Sequence, residues 1–422
     1  MSRSTVAVIG AGVSGLTAAY ALREHCDVSV YEGQPRLGGH THTHAVDDPD
    51  GRRYAVDTGF IVHNDRTYPR LRALLAELGV RTRPAEMSMS IRCEGCGLEY
   101  AGGRGLTGVL ASPKRLADPR FLRLLHAVRA FHRAALGFLA DGEQGDFLSF
   151  GQWLVRHRFD AYFIHHYAIP LVSCVWSSGH GPALDYPARY LFTFLRHHGM
   201  LSVTNSPQWF TVEGGSATYV SAIAAALPDV RQGQPVVSVS RSATQGAEVR
   251  TQDGDVDVFD HVVIATHADE ALGLLADPTP QEKQVLGAFE YSANETVLHT
   301  DASLLPRASR ARACWNYTMS ECTARAPAAQ VTYWMNRLQG HRSSRDYLVT
   351  LNATDRIDPA TTLATMRYTH PTYTARSVAA QGDLTSLFTS TTVFAGAHFG
   401  WGFHEDGCRS GYAAADWILS RP

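Results

Sequence analysis

Near the N terminus, Gly10-Ala11-Gly12-Val13-Ser14-Gly15 has the spacing of a turn that cradles phosphate. Gly10 permits the tight turn, Gly12 lets a pyrophosphate approach the backbone, and Gly15 allows a helix to pack closely on a strand. The helix that begins at Val13 and Ser14 offers free N–H groups and a positive dipole end to the phosphates. Glu32, followed by Gly33, is placed to accept hydrogen bonds from an adenosine ribose and disfavours the phosphorylated ribose of NADP. Far downstream, His398, His404, Glu405 and Asp406 crowd together. An imidazole titrates near neutral pH and can move a proton; in the other reading His404 and Glu405 only bind cofactor hydroxyls, and Glu405 serves a helix end. Cys93-Glu94-Gly95-Cys96 is a single CxxC. Zinc needs further ligands at suitable spacing, and none stands nearby in the sequence. The pair therefore reads as two loop thiols, with a redox dithiol as the alternative. His40, His42 and His44 alternate, so a strand would point all three to one side, but they form no metal motif. No metal is expected.

The elements around these residues read as follows. Val6–Ile9 is a buried parallel strand by type, Leu16–Arg23 a helix, and Val28–Tyr31 a second strand ending at Glu32. Strand, glycine turn, helix, strand and acid within about 30 residues make a dinucleotide-binding unit. Leu71, Leu74, Leu75 and Leu78 give helical periodicity to Arg66–Leu78, and Pro113–Leu139 is a second helical stretch. Trp153–Trp176 is rich in aromatics (Tyr162, Phe163, Tyr167), suited to core packing or to lining an apolar chamber. Gly214-Gly215 is a turn before a helix over Thr218–Leu227. Pro235–Val239, His261–Thr266 and Val393–Gly396 read as strands.

Arg36-Leu37-Gly38-Gly39-His40-Thr41 resembles the R-x-G-G-R/H-T element of the amine oxidase and phytoene desaturase superfamily of FAD enzymes. Tyr54-Ala55-Val56-Asp57-Thr58-Gly59, followed by Phe60, resembles the superfamily's strand and turn beside the isoalloxazine. Gly400–Ala414 resembles its C-terminal motif, G-x-x-x-E-G-A-x-x-S-G-x-x-A-A. The whole chain is similar to a bacterial branch of NAD/FAD-binding, amine-oxidase-like proteins. The resemblance implies non-covalent FAD. Gly38, Gly39, His40 and Thr41 would run by the pyrophosphate and ribityl, and Thr58, Gly59 and Phe60 by the ring. Val236 or Val237 would lie beside the adenine, with Thr266 closing the nucleotide sheet. Gly396, Ala397, Phe403, His404, Glu405 and Asp406 would surround the flavin at a helix N-terminus.

The implied fold is α/β. A discontinuous Rossmann-like FAD domain takes residues 1–85, 206–268 and 376–422, and a substrate domain with a mixed sheet and capping helices takes 86–205 and 269–375. Two departures from amine oxidases matter. Their lysine near flavin N5 is missing from Ser292–Val297, and the chain's lysines are Lys114 and Lys283 alone. Of the two aromatics that flank the flavin in those enzymes, Phe403 matches one; the other would come from Tyr368, His370 or Tyr373. His404, His398, Phe403 and Tyr368 are the catalytic candidates. The expected reaction is hydride transfer from a C–H bond to flavin N5, desaturating, oxidising or isomerising an apolar substrate such as a fatty acyl chain. The alternatives are amine oxidation in secondary metabolism and a flavoprotein with an electron-carrier or structural role.

Composition sets the outer bounds. With 45% hydrophobic and 18% charged residues the 422-residue chain reads as globular. A formal net charge of -2 gives no footprint for nucleic acid. The odd cysteine count of seven and a first apolar run that is already a strand point to reduced thiols, no leader and a cytoplasmic place. No uncharged run approaches about 20 apolar residues, so no spanning helix is expected. Peripheral membrane contact, oxygen or another carrier as electron acceptor, and a monomer or homodimer stay open.

Overall fold

The computed structural model of the chain describes residues 3–112, 115, 117–141, 148–177, 179–202, 206–242, 246–323 and 328–420. Val6, Ala7 and Val8 are fully buried, the mark of a strand covered on both faces. Thr5–Ile9 is the centre of a five-stranded sheet ordered Asp229–Gln232, Asp27–Glu32, Thr5–Ile9, His261–Ile264, Thr392–Phe394. Every pairing in it is parallel. The helix Val13–Leu22 follows the glycine turn, and the C-terminal helix His404–Leu419 packs on it. Their approach depends on the small residues expected there. A Cβ on Gly407 would lie 2.6 Å from Val13 Cγ1, and one on Gly411 would lie 2.3 Å from the Ser14 carbonyl oxygen. The two ends of the chain thus meet at the glycine turn.

A seven-stranded mixed sheet makes the second layer system. Its order is Thr362–Thr372, Glu290–His299, Leu348–Leu351, Val331–Trp334, Trp315–Met319, Met89–Cys93, Leu98–Gly102. Trp315–Met319 runs parallel to Met89–Cys93; the other neighbours are antiparallel. The five parallel strands fall within 1–85, 206–268 and 376–422, and the seven mixed strands within 86–205 and 269–375. Helices Pro119–Ala140, Phe150–Arg156, Ile169–Trp176 and Ala188–His197 cap this second part, with Phe131, Trp153, Phe163 and Phe192 buried between them.

The helix read as Arg66–Leu78 begins later, at Pro69. Asn64 Oδ1 accepts from the Arg66 and Thr67 N–H groups, which holds that stretch in a turn. The helix read from Pro113 begins at Pro119, where Asp118 caps it by accepting from the Arg120 N–H; Pro113 and Lys114 lie outside the described residues. Before Ile169–Trp176 the chain makes one wide π-helical turn, Ile164–Ala168. Pro170 lacks the N–H that would bond the His166 carbonyl, and that carbonyl accepts instead from the Tyr100 hydroxyl at 2.8 Å.

Candidate functional site

The cradle forms where the two glycine elements touch. Gly10 has φ +97°, and a Cβ there would lie 2.9 Å from the Ala265 carbonyl oxygen and 3.3 Å from Thr266 Cγ2. Gly38 donates to the Ala11 carbonyl at 2.8 Å, and a Cβ on Gly39 would lie 3.2 Å from Gly12 Cα. Gly12 itself faces open space, with nothing within 4 Å of an added Cβ. Glu32 is buried at its strand end; its carboxylate accepts from the Ala11 and Gln34 N–H groups at 2.9 and 2.8 Å. Beside Glu32, Gly33 backs on Pro235, the residue before Val236. Val236 packs on the sheet core, while Val237 is turned outward. Val13 and Ser14 spend their side chains on Gly407 and leave their backbone at the helix start. Gly396 donates to Ser410 Oγ at 2.9 Å, joining the last strand, just before Ala397, to the C-terminal helix. Thr41 Oγ1 bonds both the Tyr219 hydroxyl (2.5 Å) and His404 Nε2 (2.9 Å), so the second glycine element is tied to that helix as well.

Next to the cradle lies a cavity of 190 Å³. One side is built from His40, Thr58, Gly59, Phe60, Phe403 and His404. The other is built by the helices Ile169–Trp176 and Ala188–His197, through Cys174, Trp176 and Phe194. Phe194 and Phe403 stack at 5.0 Å, nearly parallel. Among the described residues no Asp, Glu, Lys or Arg lines the cavity. Its histidines stay neutral: burial pulls His198 and His370 down to about 4 and His404 to about 3, and sets His40 well below the usual range.

Tyr368 and His370 both line the cavity, whereas Tyr373 lies behind it and donates to the Gly400 carbonyl. The Tyr368 hydroxyl bonds Thr58 Oγ1 at 2.7 Å and His42 Nδ1 at 2.8 Å. Within Ser292–Val297, the segment that carries no lysine, Asn294 is buried, and its Nδ2 donates to His370 Nδ1 at 3.0 Å. That bond makes Nε2 the protonated nitrogen of His370.

Three expected site residues are placed differently. The Glu405 carboxylate accepts from the Arg70 and Leu71 N–H groups at 3.0 and 2.9 Å. It caps the first turn of Pro69–Glu77, not its own helix, and is no part of the cavity lining. Asp406 is buried, accepts from the Phe403 N–H, pairs with Arg409 at 3.1 Å, and is pushed up to about 6 by burial. His398 is buried beside Phe289 and Phe399, away from the cavity lining, and burial takes it down to about 3. His404 is at the cavity, but its ring stacks on Phe60 at 3.7 Å and its Nε2 is engaged by Thr41. A proton-moving role does not suit a ring held so far below neutral pH. Phe194, His198 and Trp209 line the cavity without having stood out in the sequence; the sole signal for Phe194 is an aromatic-rich amphipathic helix. Cys93 and Cys96, read as loop thiols with no further ligand near, come together with His166 and Cys322 outside the cavity lining.

The sequence profile of the flavin-containing amine oxidoreductases matches residues 13–299. The chain belongs to that family. Its cofactor is FAD, and the chain is a flavin-dependent oxidoreductase. Protoporphyrinogen oxidase of Bos taurus is 27% identical over 314 residues, 65% of this chain and 62% of that one. The match therefore spans less than two thirds of that relative. Cyclohexylamine oxidase from Brevibacterium oxydans IH-35A has a similar fold, with a TM-score of 0.70 at 17% identity over 99% of this chain and 100% of that one. A fatty acid isomerase from P. acnes that produces CLA matches with a TM-score of 0.65 at 16% identity over 99% and 98% of the two chains. The family resemblance and the α/β fold read from the two glycine elements are thus borne out.

The residues present fit FAD. Gly12 leaves open the space that a pyrophosphate needs at a helix start. His40 Nε2 is buried with no partner among the described residues, while the ring also bonds the Thr369 backbone. A bare acceptor in that place is a seat for a hydroxyl or N–H of the cofactor.

Proposed function

We propose that this enzyme acts on an uncharged, apolar part of its substrate, such as the unsaturated segment of a fatty acyl chain, and desaturates, oxidises or isomerises it. The observation that carries this reading is the uncharged cavity beside the cradle. An ammonium placed there would lose its water without a carboxylate to replace it, at a cost of several kcal/mol. A hydrocarbon segment loses nothing and gains burial at about 25 cal/mol per Å². Bound FAD supplies a hydride acceptor. The protein's part is positional. Trp176, Phe194 and Phe403 hold the reacting carbon and keep water away. His370, fixed by Asn294, offers a neutral N–H donor toward any polar group on the substrate. The absence of a lysine over 292–297 agrees with an enzyme that does not rely on the oxidases' lysine-held water.

Gly10, Gly12, Gly15, Glu32, Gly38, Gly39 and His40 are the residues we assign to the cofactor, with Thr58, Gly59, Phe60, Phe403 and His404 around its ring. An amine substrate is the second reading, since Phe403 and Tyr368 both reach the cavity and aromatic faces attract cations. A carrier without a small substrate would have no use for a cavity at this place. Anaerobic mixing separates these readings. Unsaturated fatty acids are expected to bleach the flavin or to emerge with shifted double bonds, and cyclic and aliphatic amines to do neither. Bleaching by amines with no change in any fatty acid would sink the apolar reading. Reoxidation by air or by a quinone dye then identifies the kind of electron acceptor.

A further inference from the structure

Away from the cavity lining, four soft ligands converge. Cys93 ends the strand Met89–Cys93, and Cys96 sits in the tight turn to Leu98–Gly102. Gly97, with φ +66°, closes that turn. It brings the Cys96 N–H onto Cys93 Sγ and the Leu98 N–H onto Cys96 Sγ. Such N–H groups support negative sulfur. Cys322 follows the neighbouring strand Trp315–Met319. A Cβ on Gly95 would lie 3.1 Å from the Cys322 nitrogen, and the Glu94 N–H donates to the Met319 carbonyl at 2.9 Å. The fourth member, His166, comes from the π-helical turn and is fully buried.

We propose that Cys93, Cys96, Cys322 and His166 bind one zinc ion in a closed site that fastens the mixed sheet to the helical wall of the cavity. The distances fit. Cys93 Sγ and Cys322 Sγ are 3.7 Å apart, Cys96 Sγ and His166 Nε2 are 3.6 Å apart, and all four atoms lie within 4.8 Å of one another. A tetrahedron with Zn–S of ~2.3 Å and Zn–N of ~2.0 Å puts two sulfurs about 3.8 Å apart and a sulfur and a nitrogen about 3.5 Å apart. Atoms this close enclose a single ion and leave no room for a cluster between them. Three sulfurs and one nitrogen are a soft set that selects zinc over magnesium or calcium, and four protein ligands leave no open position for catalysis.

The ring is prepared for the task. His166 Nδ1 donates to the Tyr162 carbonyl at 2.9 Å, so Nε2 carries the lone pair and faces the sulfurs. This is the second partner that a metal-bound imidazole ordinarily has. Tyr162 also stacks on the ring at 4.0 Å. The turn itself exists because Pro170 frees the His166 carbonyl for Tyr100. All three sulfurs bind as thiolates, any thiol proton still present leaves to solvent, and no oxidation state changes. The resulting single negative charge lies near Arg120. From His166 the chain runs directly into Ile169–Trp176, which supplies Cys174 and Trp176 to the cavity.

The test is metal analysis of the full-length flavoprotein, purified without chelator from zinc-supplemented cells. One zinc per chain is expected, with an X-ray absorption edge fitted by three sulfurs at ~2.3 Å and one nitrogen at ~2.0 Å. Cys322→Ser and His166→Ala should lose the zinc, and Cys26→Ser, a buried cysteine elsewhere, should keep it. If the site variants misfold, the wild-type edge spectrum decides alone. A flavin-loaded, zinc-free protein whose seven thiols all titrate, or one with a disulfide among Cys93, Cys96 and Cys322, overturns the proposal. None of these readouts depends on the substrate.

Discussion

Gly12 and Gly15 lie three residues apart and do opposite jobs. A side chain on Gly12 would meet nothing within 4 Å, whereas one on Gly15 would strike the Gly10 carbonyl oxygen at 1.9 Å. Gly12→Val should therefore fold and fail to hold flavin, because its side chain fills the space that a pyrophosphate needs. Gly15→Val should fail earlier, by parting helix from strand. Circular dichroism and the flavin-to-protein ratio check both; a folded Gly12→Val protein with full flavin would falsify the cradle. These glycines were legible in the sequence because a turn against phosphate and a helix against a strand each exclude a Cβ. The acids at the C-terminal helix were less so. Glu405 and Asp406 are adjacent and look alike in a sequence, yet one reaches out to Arg70 and Leu71 and the other folds back to Phe403 and Arg409. That division depends on which helix lies opposite, and nothing near residue 405 in the sequence reports it.

Helix Pro69–Glu77 lacks a cap from the residues next to it in sequence, since Tyr68 at its start makes no side-chain bond. Glu405 fills that place from a distance of more than 300 residues. Glu405→Ala should cost about 1 kcal/mol, the ordinary value of an N-cap, and Glu405→Gln less, because an amide oxygen still accepts. Urea unfolding measures the difference, and equal loss in both variants would assign the effect to charge instead. The helix also carries consequences for the site, as Tyr68 at its start lines the cavity. At this scale the sequence was informative wherever periodicity was strong. Its leucines fixed the buried face of this helix, with Leu71, Leu74 and Leu75 inside. It was silent on the wall of the cavity, because Phe194 has the same pattern whether it faces a ligand or a core. It was silent on the CxxC for a different reason. Cys322 reaches Cys93 through a parallel strand pairing, and His166 through a proline-induced wide turn; neither has a local signature in the sequence.

On the scale of the whole molecule, burial fixes how the fold responds to acid. His40, His198, His370, His398 and His404 are all held far below neutral by desolvation, His198 and His370 at about 4 and His398 and His404 at about 3. In the unfolded chain each titrates near ~6.5. Above that pH both states are neutral and the rings do not affect stability. Below it the unfolded chain takes up protons that the folded one refuses, and each ring costs about 1.4 kcal/mol per pH unit. Asp57 and Asp406 act in the opposite sense. Burial raises both to about 6, so what they contribute is complete below their unfolded value of about 4 and is lost as pH climbs to about 6. Two carboxyls cannot offset five imidazoles, which begin to respond at the higher pH, near ~6.5. The thermal midpoint should fall as pH is lowered from 7 to 5, steepening below about 6.5. A scan of unfolding temperature against pH, followed by ring fluorescence of released flavin, measures this. A midpoint that stays level or rises over that interval would mean the rings are protonated inside the fold. The cavity would then be charged, and an acyl chain would no longer be its natural occupant.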